Sequence, residues 1–191
     1  MDLNKIIVSR RTVRQFKPES LPRNILEEIV NSGRLAPSAS NLQPLEFLVI
    51  DDHKVASKIF SFLKWAAYIQ PEGNPKPGNE PPAYIIILVN RKIREKGYER
   101  EVGAAAENMI LAAWSKGIAS CWLISVEREK ARKTLKVPEF YLIDSVIALG
   151  YPAESPVIED FKESIKYWKD EQGTLHVPKR KLEKVIHFNR F

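Results

Sequence analysis

Ser9-Arg10-Arg11-Thr12-Val13-Arg14-Gln15-Phe16 places three guanidinium groups and a hydroxyl within five positions. The planar arginine fork donates two parallel hydrogen bonds, which suits it to phosphate oxygens; a solvated basic turn would use the same residues. A second basic run, Lys179-Arg180-Lys181, lies near the other end of the chain. Between the two, Pro37-Ser38-Ala39-Ser40-Asn41-Leu42-Gln43-Pro44 sets four uncharged polar side chains on a segment bracketed by proline. Neutral donors and acceptors of this kind suit a polyhydroxylated chain or the edge of a pyrimidine ring. Asn and Ser also do ordinary turn chemistry between a helix and a strand.

Other chemistries lack their residues. The eight glycines, at positions 33, 73, 78, 97, 103, 117, 150 and 173, form neither GxGxxG nor GxxxxGK, so a dinucleotide fingerprint or a Walker loop is absent. There is no G-x-S-x-G elbow and no HExxH. The three histidines, His53, His176 and His187, are scattered, and Cys121 is the only cysteine. A zinc site, a triad and an internal disulfide are therefore not expected. With no protein-borne nucleophile in view, a cofactor is expected to carry any chemistry. The net charge of +6 raises the question of nucleic acid. Neither basic cluster is interleaved with the aromatics of a base-stacking platform, so no nucleic-acid partner is expected.

The elements that must position these groups follow from periodicity. Asp2 to Ser9 reads as a short helix with Asp2 at its N-cap. A second helix starts at Ser20-Leu21-Pro22, carries Ile25, Leu26, Ile29 and Val30 on one face, and ends near Gly33. Leu45–Ile50 is a strand, Val55–Trp65 a helix, and Tyr84–Val89 a buried strand. Arg100–Lys116 is the clearest helix, closed by Gly117. Its Met109, Ile110, Ala113 and Trp114 exceed what one face of a single domain needs. Ile118–Ile124 and Ile143–Leu149 are strands, with a charged helix, Glu127–Lys136, between them. Pro71–Pro82 holds five prolines and two glycines in twelve residues and reads as a long loop inside one domain. The order gives a single α+β domain over residues 1–191. The longest apolar run, Ala83–Val89, is far below the ~18 residues a membrane span needs. Ile6-Ile7-Val8 is too short for a signal peptide, so a cytoplasmic location is expected.

Five blocks in order resemble the FMN-dependent nitroreductases: SRRTVRQF, APSASNLQP, GAAAENMILAAWSKG running into IASCWLIS, ALGYPAE, and the tail HVPKRKLEKVIHFNRF. The resemblance spans nearly the whole chain. It implies a central, mostly antiparallel sheet flanked by helices, in an intertwined homodimer whose tail, about residues 167–191, packs on the partner. It implies that Arg10, Arg11 and Thr12 grip the phosphate and ribityl chain of FMN and that Arg14 stabilises the flavin anion near N1 and O2. Pro37, Ser38, Ala39 and Asn41 correspond to a loop reaching FMN from the other subunit. Trp122, Leu123, Ile124 and Ser125 correspond to the segment along the ring edge near N5, and Lys179 and Arg180 to the C-terminal phosphate contact, where Lys181 is the alternative register. No side chain would be catalytic, since the chemistry would be on FMN with Arg14 as flavin-anion stabiliser, and no metal is implied.

One departure is Leu45, where many members carry Trp after the polar loop; Trp65 or Trp122 would then supply aromatic surface, if they are not simply core. The implied activity is hydride transfer from NAD(P)H through FMN to a small electron-poor acceptor, a nitroaromatic or quinone, by a ping-pong mechanism. A non-catalytic FMN-binding or flavin-storage protein is the alternative.

Overall fold

A computed structural model describes residues 2–190. Four antiparallel strands form the main sheet: β1 (Leu45–Ile50), β2 (Ala83–Asn90), β3 (Ala119–Leu123) and β4 (Tyr141–Gly150), in the spatial order β1-β2-β4-β3. Five helices accompany them: α1 (Leu3–Ser9), α2 (Arg23–Arg34), α3 (His53–Ser61), α4 (Glu99–Ser115) and α5 (Arg128–Leu135).

The central position of β2 explains its unbroken apolar run, because a strand covered on both faces has no polar side to alternate with. Tyr84, Ile86 and Leu88 pack into one core with Ala56 and Ile59 of α3 and Ala131 of α5. Ile85, Ile87 and Val89 pack into the other with Leu26 and Ile29 of α2 and Val102, Ala106 and Met109 of α4. On that second face α2 and α4 approach closely. A β-carbon on Gly33 would lie 2.8 Å from Met109 Cγ, so a larger residue there would have to displace the Met109 side chain. The β2–β4 register slips between Ile87 and Leu88, which pair with Ser145 and Ile143. Arg128 of α5 donates to the carbonyls of Ile143 and Asp144 at 2.8 Å each, and so takes up acceptors beside the bulge.

A second, smaller sheet has the order β5-β7-β6: β5 (Val157–Asp160), β6 (Trp168–Lys169) and β7 (Leu175–Lys179). It bears on the expected placement of the tail. Residues 168–179 pair within the chain, and Leu175 is buried. Beyond them Leu182 and Phe188 are 70% and 76% exposed. Trp168 is also exposed, at 44%, and Phe191 lies outside the residues described.

Three local expectations are corrected. The helix expected at Val55–Trp65 spans His53–Ser61, because the Asp52 carboxylate accepts the Val55 N–H at 2.9 Å and starts it earlier. Its end is set by a change of partner: Leu63 bridges Val126, and the Lys64 N–H donates to the Ser125 carbonyl at 3.0 Å. Asp2 precedes α1, yet its side chain makes no capping hydrogen bond. The supposed apolar surplus of α4 is filled from within the chain. Met109, Ile110 and Ala113 are buried, and Trp114 is half-buried, its Nε1 donating to Ser9 Oγ at 2.8 Å. Among the described residues no helix is long and apolar enough to cross a membrane.

Candidate functional site

Residues 10–17 leave α1 extended and extend the sheet beyond β3. The Val13 N–H donates to the Ser120 carbonyl at 3.0 Å, the Lys17 N–H to Tyr151 at 2.8 Å, and the Ala153 N–H to Gln15 at 2.8 Å. Val13 and Phe16 are wholly buried and anchor the segment. Arg10, Arg11, Thr12 and Arg14 are left half-buried along one wall of a cavity of about 500 Å³. The small sheet forms the opposite wall with Ile158, Leu175, Val177 and Lys179. Four cationic side chains thus line the cavity, and no carboxylate does.

Their electrostatics suit an anion. Burial first and the neighbouring Arg10 second pull the Arg11 pKa down from its ordinary value, the signature of cations crowded without enough counter-charge. Arg11 Nη1 also donates to the Val8 carbonyl at 2.7 Å, which satisfies an acceptor at the C-terminal end of α1. Arg10 has a loose ion pair with Glu107 at 3.7 Å. Arg14 is held by its backbone N–H, which donates to Glu154, while its Nε is buried and has no partner. A buried guanidinium N–H without an acceptor is costly.

Two other cavities offer poorer chemistry for a phosphate. One of about 690 Å³, between residues 71–77 and 169–173, is lined by the carboxylates of Glu72, Glu154, Asp170 and Glu171 against Lys76 and Lys169. Another, of about 240 Å³, has Glu80 and His53 on its wall and neither arginine nor lysine.

The remaining expected residues divide. Trp122 sits beside the arginine segment on β3, 37% exposed, its Nε1 donating to the buried Ser145 Oγ at 2.8 Å. Leu123 is buried in the core, so only its backbone is open to a ligand, whereas Ile124 and Ser125 are exposed. Trp65 is buried core and offers no aromatic surface. Lys179 lines the cavity, but Arg180 next to it does not; its guanidinium donates to the Lys184 carbonyl at 2.7 Å. Lys181 lies 3.9 Å from Asp160.

Pro37, Ser38, Ala39 and Asn41 stand apart from the cavity. Their segment leads into β1, at the opposite edge of the sheet from residues 10–16. Four strand spacings, on the order of 20 Å, separate the two edges. The segment is strained: Ser40, Asn41 and Gln43 all have left-handed φ, at 52°, 54° and 50°. What holds it is a residue that sequence reasoning missed. Glu101 of α4, 5% exposed, accepts the Ala39 N–H and the Arg94 guanidinium, each at 3.0 Å and both through Oε1. The signal was present, because Glu101 lies four and eight residues before Ala105 and Met109, on the buried stripe of the helix.

The Nitroreductase family matches residues 7–151. A protein of Archaeoglobus fulgidus named as an NADH dehydrogenase/NAD(P)H nitroreductase is 31% identical over 167 residues, covering 84% of this chain and 89% of its own. An iodotyrosine deiodinase of Haliscomenobacter hydrossis is 26% identical over 182 residues, 82% of each chain. The crystal structure of a nitroreductase with bound FMN from Bacteroides fragilis superposes with a TM-score of 0.64 at 23% identity, over 86% of this chain and 95% of that one. The arginine segment, the polar loop, α4 with β3, and the end of β4 all fall inside the matched span, and the chain belongs to the nitroreductase family.

Proposed function

We propose that the protein is an FMN-dependent oxidoreductase that takes hydride from NAD(P)H and delivers it to a small, flat, electron-poor acceptor such as a nitroaromatic or quinone. Four cations converging on one carboxylate-free cavity, with Arg14 Nε buried and unpartnered in its wall, support this reading. The residues present fit FMN. Arg10, Arg11 and Lys179 would hold a phosphate monoester, and Thr12 supplies a neutral hydroxyl for the chain beyond it. FMN, when bound, supplies the hydride-accepting and hydride-donating chemistry. Arg14 then opposes the negative charge that builds up on reduction. Its positive charge in a partly dehydrated wall does this better than a solvated ion would. With no dinucleotide fold in the chain, donor and acceptor would take turns at one open face, which gives ping-pong kinetics.

The polar loop and the arginine cavity occupy opposite sheet edges, so a second copy of the chain would bring Pro37, Ser38, Ala39 and Asn41 to the cavity. A homodimer is therefore part of the proposal. Exposed Leu3, Ile7 and Val8 of α1 and Leu182, Val185, Ile186 and Phe188 of the tail are the apolar surface it would cover.

The test is the absorbance spectrum of the pure protein with FMN under anaerobic conditions. Bound FMN should bleach with NADH or NADPH, and its colour should return when a quinone or nitroaromatic is added. Bound flavin that neither nicotinamide bleaches would mark a flavin-storage protein, and a chain that takes up no flavin would overturn the assignment altogether.

A further inference from the structure

Tyr167 lies just before β6, outside every block that resembles the family, and its ring meets the most telling side chain of the cavity. The Arg14 Cζ stands over that ring, 4.9 Å from its centroid. Tyr167 is half-buried and itself lines the cavity. Behind it the ring of Tyr68 packs at a centroid distance of 5.0 Å, tilted by 54°, and Lys166 Nζ stands 5.8 Å from the centre of the Tyr68 ring. On the protein side the Arg14 side chain is a hydrogen-bond partner of the Cys121 thiol of β3. The guanidinium is therefore confined between a strand and an aromatic face, with its buried Nε left unpartnered.

We propose that Tyr167 is a positioning residue: its ring, braced by Tyr68, fixes the Arg14 guanidinium in the cavity wall so that its positive charge faces the bound cofactor. A cation over an aromatic face is attracted without using any of its hydrogen-bond donors. Tyr167 can thus restrain Arg14 while leaving its donors to a ligand, which a carboxylate partner would not do. Tyr68 belongs to the segment between α3 and β2, so the same pair of rings links that segment to the cavity. This inference rests on Arg14 facing reduced FMN.

The test is a double-mutant cycle read as the midpoint potential of bound FMN at saturating cofactor, with melting temperature measured alongside. Arg14→Ala should make the potential more negative. Tyr167→Leu should shift it in the same direction and by less, lowering the reduced-to-oxidised ratio at a fixed potential by about two- to fivefold. Tyr167→Phe should restore it, because the ring face is kept. In the Arg14→Ala background Tyr167→Leu should add nothing. Tyr68→Leu, a change at a half-exposed surface ring, should give a weaker shift of the same sign and serves if Tyr167→Leu does not fold. The proposal is overturned if Tyr167→Leu shifts the potential equally with and without Arg14, or leaves it unchanged where Arg14→Ala moves it. If Arg14→Ala itself moves nothing, the placement of Arg14 at the cofactor fails first, and the role of Tyr167 falls with it.

Discussion

Glu101→Ala should damage this protein in two separable ways. The carboxylate is 6% exposed at its side chain and its Arg94 partner 23%. Removing one member of a buried ion pair costs about 3–5 kcal/mol, chiefly because the other charge is stranded. Arg94 retains some access to water, which reduces the cost, and the Ala39 N–H loses its acceptor, which adds to it. The sum is about 2–4 kcal/mol, or a fall in melting temperature of roughly 4–16 °C for a chain of this length. Glu101→Gln keeps an oxygen for Ala39 and loses only the charge, so about half the effect is expected. The second consequence falls on the loop. Three left-handed residues at 40, 41 and 43 would relax once their tether is cut. FMN affinity should then fall in both variants, and more in Glu101→Ala. Thermal melts with and without FMN, together with a fluorescence titration of FMN, separate the two effects. If Glu101→Ala melts within 2 °C of wild type and binds FMN as tightly, the carboxylate is not what holds the loop.

Three further outcomes are expected. The Cys121 thiol, pushed up to about 11 by burial, should resist a thiol reagent at pH 8 until the protein unfolds. Because its folded pKa lies above the ordinary value of 9, its contribution to stability is intact below pH 9 and lost as pH rises toward 11; a urea midpoint unchanged between pH 8 and pH 11 in wild type, relative to Cys121→Ala, would contradict this. FMN should bind more tightly than FAD, since the proposed phosphate grip of Arg10, Arg11 and Lys179 suits a terminal monoester; equal affinities in a titration would argue against this cavity. Phe188→Glu, at a position 76% exposed, should shift sedimentation toward the monomer and release FMN together, and a dimer of unchanged strength would remove the tail from the interface.

The main sheet was legible because each of its strands satisfies a local rule. The run from Tyr84 to Val89 is too short for a helix and too apolar for an edge, and β2 is indeed central. Leu45–Ile50 needed no adjustment at either end. The small sheet was not legible, for physical reasons. β5 reads Val-Ile-Glu-Asp and pairs in parallel with β7, which contains Pro178, so neither strand has a periodicity long enough to detect. β6 is two residues long. It is held by side chains, with the Trp168 ring stacked on His176 at 4.3 Å and its Nε1 donating to Glu159 at 2.8 Å. The tail's apolar residues Leu182, Val185, Ile186 and Phe188 follow that sheet and are all exposed. At the site, arginine spacing identified the cationic wall, but the acidic partner of the loop looked like any glutamate in the first turn of a helix. Its place on the apolar stripe, four and eight residues before Ala105 and Met109, is what distinguishes a buried clamp from a charge favoured by the helix dipole.

The strand order has a consequence for how such a site can be completed. In β1-β2-β4-β3 the first strand of the sequence is an edge, and residues 10–16, which precede it, attach beyond the other edge. A chain that places two successive segments on opposite margins of one sheet does not close them around a common ligand. In the proposed homodimer a two-fold axis would, because an isologous contact sets the first margin of each copy against the second margin of the other. Each copy would then lend its polar loop and receive its neighbour's, and two equivalent sites would arise at one interface. The exposed apolar residues of α1 flank the cationic wall, where Ile7 and Val8 also line the cavity. Covering them would bury the rim of the site at the moment the loop arrives. In that proposed dimer FMN affinity and subunit affinity would be one linked equilibrium: cofactor that bound only the paired chains would raise both melting temperature and dimer strength as its concentration rose.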